Sequence, residues 1–99
     1  MGQAENRITK KIKDYLKSIG AWHVKYFANA FTSVGIMDIL ACVKGRFVGI
    51  EVKTDVGRLS EMQKYQAEQL KKSGGLWFCV RPSNFEEFKQ AIENIKEQQ

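Results

Sequence analysis

The chain has 99 residues, 43% of them apolar, and a formal net charge of +5. That is the size and composition of one globular domain. No apolar run nears the ~20 residues that span a bilayer, and the polar start MGQAENRITKK lacks the apolar stretch of a signal peptide, so an intracellular, cytoplasmic protein is expected.

Residues 5 to 19 place Ile8, Ile12, Tyr15, Leu16 and Ile19 on one stripe, the spacing of an amphipathic helix, closed by Gly20. The run AWHVKYF, 21 to 27, is strand-prone, and ANAFTSVG, 28 to 35, is a loop. IMDILACV and RFVGIEVK flank the turn Lys44-Gly45 and predict a β-hairpin. TDVGR, 54 to 58, is a second loop. A helix follows from Ser60 to about Ser73, ended by Gly74-Gly75, and LWFCV, 76 to 80, is a strand. After Pro82, Ser83 and Glu86 make a capping box for a last helix carrying Phe85, Phe88, Ile92 and Ile95. The order is α-β-β-β-α-β-α, an α/β sheet flanked by helices around one core, with residues 1–99 forming a single domain. Cys42 and Cys79 lack metal or disulfide spacing, and are expected as small buried hydrophobes in a reducing compartment.

Charge is unevenly spread. Residues 1–82 hold fourteen Lys/Arg against seven Asp/Glu, while residues 83–99 hold two against four. A polyanionic partner is therefore expected for the body only.

The stretch GIEVKT, 49 to 54, sets Glu51 and Lys53 on one strand face and Ile50 and Val52 on the other. If Lys44-Gly45 is a two-residue turn, Asp38 lies directly opposite Glu51, with Cβ atoms ~5 Å apart. A three-residue turn would move Asp38 opposite Val52. Glu5 lies on the apolar stripe of the first helix, where a carboxylate needs a partner. If that helix packs on the sheet, Glu5, Asp38 and Glu51 converge beside Lys53. Such oxygen ligands suit Mg²⁺ or Mn²⁺. A single His, His23, and scattered cysteines argue against zinc. The plain alternative is a solvated ion pair on a strand.

These residues resemble the PD-(D/E)XK nuclease superfamily, with Asp38 and Glu51-Val52-Lys53 as its core triplet and Met37 where the motif's name has proline. More narrowly the chain is similar to a stand-alone VRR-NUC (virus-type replication-repair nuclease) domain. Four stretches match: Glu5 opening a helix, GIMD at 35 to 38, GRFVGIEVKTDVGRLSEMQ at 45 to 63, and the Gly pair before the next strand. The resemblance implies a restriction-endonuclease-like mixed sheet and a metal-dependent DNA endonuclease. Glu5, Asp38, Glu51 and the Val52 carbonyl would hold Mg²⁺ or Mn²⁺, and Lys53 would serve the attacking water. Gln63 falls on the family's glutamine. It also completes a capping box with Ser60, and Gln66 is the neighbouring alternative. Small members of the family are similar to Holliday-junction resolvases, homodimers that cut branched DNA. The resemblance is compatible with a phage-encoded protein in a bacterial host, and with a helicase or other replication-repair partner delivering substrate.

The expected DNA contacts are Arg58 above all, with Lys10, Lys11, Lys25 and Lys64, and Ser33 and Thr54 near the site; for most, a solvated face is the competing account. Trp22, Tyr26 and Trp77 lie in strand patterns and are expected to pack. Phe27, Phe31 and Val34 either pack over the core, the simpler expectation, or form an apolar contact surface. Two rivals to the nuclease stand: a catalytically silent DNA-binding module of the same fold, and an interaction protein working through the acidic segment 83–99.

Overall fold

The computed structural model describes residues 2–98. Helix α1, Gln3–Ser18, leads into strand β1, Trp22–Lys25, and a loop to β2, Ile39–Val43. Lys44 and Gly45, with φ of 50° and 81°, form the tight turn into β3, Arg46–Val52. Two positive φ angles in a two-residue loop match the right-handed twist of the flanking strands. Helix α2, Glu61–Lys72, crosses to β4, Leu76–Val80. A 3₁₀ turn, Pro82–Asn84, then opens α3, Phe85–Glu97. The sheet order is β1-β2-β3-β4, antiparallel except for the parallel β3–β4 pair that the α2 crossover requires. The mixed sheet flanked by helices is as expected.

Alternation along the strands divides the molecule into two layers. Ile39, Ala41, Val43, Val48, Ile50, Val52 and Val80 turn to one face, where they meet Ile8, Ile12 and Leu16 of α1 and Phe85, Phe88, Ile92 and Ile95 of α3. The Tyr15 hydroxyl ties the two helices together by donating to Glu93 and the Lys89 carbonyl. Helix α2 lies on the opposite face. There, a Cβ at Gly49 would meet Leu70 Cδ2 at 2.9 Å and Met37 Sδ at 3.0 Å, so the side-chain tips of the helix and of Met37 rest directly on the glycine.

Several boundaries differ from the sequence expectation. Residues 36 to 38 lie outside β2, and α1 begins at Gln3. Ser83 does not cap α3. Its N–H donates to Asp55 Oδ1 at 2.9 Å, and the 3₁₀ turn delays the helix to Phe85. Cys42 and Cys79 are free but only half-buried, because both lie on the α2 face, which one helix cannot cover. Trp22 is 59% exposed for the same reason. Phe27, Phe31 and Val34 do not pack over the core; all three are exposed. Among the described residues no helix is long and apolar enough to cross a membrane.

Candidate active site

The Lys44-Gly45 turn fixes Ile39 opposite Ile50, so the next pair outward is Asp38 and Glu51. Ile39, Ile50 and Val52 point into the α1–α3 core, which turns Asp38, Glu51 and Lys53 toward the α2 face. The two-residue register is therefore the one realised. Asp38 Oδ2 accepts from the Val52 N–H at 2.8 Å, and its Oδ1 faces Lys25 Nζ at 3.8 Å. The Tyr26 N–H donates to the Asp38 carbonyl at 2.8 Å and carries the ladder past the end of β2.

Glu51 is only 3% exposed. Burial first, then the adjoining Asp38 carboxylate, push its carboxyl up to about 8, against the opposing pull of Lys53 and Lys25. Glu51 Oε1 accepts from Gln63 Nε2 at 3.2 Å, while Oε2 is buried with no hydrogen-bond partner. Gln63 caps α2 and reaches Glu51 at the same time. Its Oε1 accepts the Ser60 N–H at 2.8 Å and its own N–H donates to Ser60 Oγ at 3.1 Å. Because the cap takes the amide oxygen, the NH₂ is left to face Glu51. Gln66 serves elsewhere, donating to the Val34 carbonyl at 3.1 Å.

The convergence of three carboxylates is not found. Helix α1 buries Ile8, Ile12 and Leu16 in the core, and Glu5 Oε1 accepts the Gly2 N–H at the helix start. Among the described residues, no three His, Cys, Asp or Glu side chains are grouped to hold a metal. The acidic set is Asp38 and Glu51. It still fits a hard divalent ion, since Mg²⁺ binds through one or two carboxylates and keeps its remaining waters. Glu51 Oε2, a buried oxygen without a hydrogen-bond partner next to a second carboxylate, is one that such an ion would satisfy.

Lys53 is half-buried beside this pair, with its backbone N–H donating to the Val80 carbonyl at 3.1 Å. The loop after it is stapled by a residue that sequence reasoning missed. Arg81 Nη1 donates to the carbonyls of Thr54 at 2.6 Å and Gly57 at 2.7 Å. Arg81 follows Val80, the parallel partner of Val52, so it stands on the Lys53 face; that parity was the available signal. Lys10 and Lys25 line grooves running up to Asp38, joined by Lys13 and Asn6, which had not been singled out. Lys11 is elsewhere, 5.4 Å over the Phe85 ring. Lys64 pairs with Glu61 at 3.4 Å, Thr54 gives its carbonyl to Arg81, and Arg58 and Ser33 are exposed on the two loops. Tyr26 is half-buried on the groove wall, and Trp77 is half-buried with Lys71 Nζ 5.4 Å over its ring.

No family model matches the chain, and no curated protein matches it. Among solved structures, one described as a VRR_NUC domain superposes on it with a TM-score of 0.72, over 97% of this chain and 97% of that one, at 21% identity. The fold is that of a VRR_NUC domain, as the sequence resemblance implied.

Proposed function

We propose that the protein is a Mg²⁺- or Mn²⁺-dependent DNA endonuclease acting on branched or otherwise structured DNA, in the manner of a Holliday-junction resolvase. The single observation that carries this is the buried Glu51, with one orphaned oxygen, paired with half-buried Asp38 beside Lys53 on the fold of a VRR_NUC domain. Asp38, Glu51 and the Val52 carbonyl would hold the cation. A cation bound there would lower the pKa of a coordinated water and neutralise charge on the scissile phosphate. Gln63 keeps Glu51 oriented through its Nε2–H. Lys53 orients or deprotonates the water that attacks phosphorus, or stabilises the charge of the pentavalent state as the P–O bond breaks. Glu5 is left to cap α1.

A junction with two equivalent strands calls for two sites related by a two-fold axis, hence a homodimer. Support for pairing comes from apolar side chains left open on the α2 face, Trp22 and Phe47 foremost. Among the described residues no two consecutive helices form a base-reading helix-turn-helix, so discrimination rests on DNA shape.

The test is cleavage of a four-way junction and of linear duplex, with Mn²⁺, with EDTA, and by Lys53→Ala. Metal-dependent cutting of the junction, reduced ~10²-fold or more in Lys53→Ala, is expected. Binding without cutting under every metal condition would instead assign a silent DNA-binding module.

A further inference from the structure

Two cavities, of about 370 and 390 Å³, lie end to end along α1 and share Asn6 and Lys25. The first is walled by Thr9, Lys10, Lys13 and Asp14, and the second by Tyr26, Phe27, Ala28, Ile36 and Asp38. The groove thus runs from exposed lysines to the candidate site. Its one opposing charge besides Asp38 is Asp14, paired with Lys10 at 2.8 Å on the open surface, where water and salt weaken such a pair. Phe27 lines the inner cavity yet is 77% exposed, and Lys25 Nζ sits 5.2 Å from its ring centroid. An aromatic face held open beside cations matches how unpaired nucleic acid is bound. Lysines follow the backbone and an aromatic ring takes a base.

We infer that this groove is a track for a single-stranded DNA arm, in which Lys10, Lys13 and Lys25 receive phosphates and Phe27 stacks an unpaired base next to Asp38. The inference rests on the nuclease reading for its substrate, and it narrows that substrate to DNA unpaired beside the cut. Paired DNA offers no free base face to Phe27. The track therefore explains a preference for structured DNA without any contact to base edges.

The test is binding rather than cutting, so that it stands apart from the nuclease assay. Anisotropy in EDTA compares a splayed-arm duplex with a blunt duplex of equal length, with 2-aminopurine placed in the arm. Wild type is expected to favour the splayed arm, and to quench the 2-aminopurine by stacking. Phe27→Ala should reduce that preference about tenfold and abolish the quench, since one base–aromatic stack accounts for a change of that order. Lys13→Ala should lower affinity for the arm and reduce the slope of log affinity against log salt by about one. Phe31→Ala, on the same loop but outside the groove, should leave the preference in place. Equal affinity for arm and blunt duplex in wild type, or a preference that survives Phe27→Ala, overturns the track. So does Phe27→Ala halving the mass in solution while arm binding is retained, which would make Phe27 a chain–chain contact. If arm binding behaves as expected and no cutting occurs with any metal, only the nuclease reading fails.

Discussion

Glu51 is where folding and chemistry pull against each other most openly. An isolated glutamate loses its proton near pH 4.5, but here burial and Asp38 raise that value to about 8. Between those values the folded chain holds a proton that the unfolded chain has released. Stability without metal therefore falls as pH rises from about 4.5 toward about 8, and levels off above it. Glu51→Gln removes the titration while keeping an oxygen to accept from Gln63. In EDTA the variant should melt higher than wild type at pH 9, and the two should converge near pH 5. A divalent ion supplies the missing counter-charge, so Mn²⁺ should raise the wild-type melting temperature far more at pH 8 than at pH 5, and hardly affect Glu51→Gln. Thermal unfolding across that pH range checks both. A wild-type curve flat with pH, or Mn²⁺ stabilising the variant equally, would remove Glu51 as the charged centre of the site.

At the scale of elements, what the sequence revealed and what it hid have different physical origins. The hairpin was legible because Lys44-Gly45 suits a tight turn, but two registers stayed open until the two-residue loop, once realised, fixed every pair up the ladder. The Asp38–Glu51 pair and the cap of Gln63 follow from such local rules. Glu5 was misplaced because a 3.6-residue stripe says that a helix buries one side, not which face of the sheet receives it. The exposure of Phe27 and Phe31 was hidden too, since it depends on how the loop between β1 and β2 is tied down. The far end of that loop is fixed by close approach. Gly35 has φ of 84°, and a Cβ there would meet the Met62 carbonyl oxygen at 2.5 Å. Gly35→Ala is accordingly expected to destabilise the fold by about 2 kcal/mol or more, through strain and displacement of α2. Urea unfolding should show a lower midpoint, and trypsin or chymotrypsin should cut the loop sooner. A midpoint within error of wild type would mean that the loop does not lean on α2.

Over the whole molecule, coverage of the sheet is lopsided. The α1–α3 face is sealed, whereas α2 shields its own side over Gly49 and Glu51 and leaves the β1 side open. Beyond it, the register sets Trp22, Cys42 and Phe47 in one row across three strands, with Val24 and Leu40 in the next. Trp22 and Phe47 remain 59% and 43% exposed, and an apolar cleft of about 340 Å³ runs between Leu40, Phe47 and Leu70. A standard dimer interface takes ~800 Å² from each partner, about an eighth of the 6191 Å² that this chain exposes. The open row is a natural seat for that contact. It is self-complementary in character, since apolar groups can meet apolar groups across a two-fold axis. Light scattering at micromolar concentration should therefore give twice the 11.3 kDa of one chain. Trp22→Lys with Phe47→Lys should return the mass to a single chain while leaving the melting curve cooperative, because neither side chain is in the sealed core. Junction cutting should fall with the mass, as two sites are separated, while nicking of a single strand persists. Wild type at 11.3 kDa, or a double variant that stays paired, would move the partner's seat off this face.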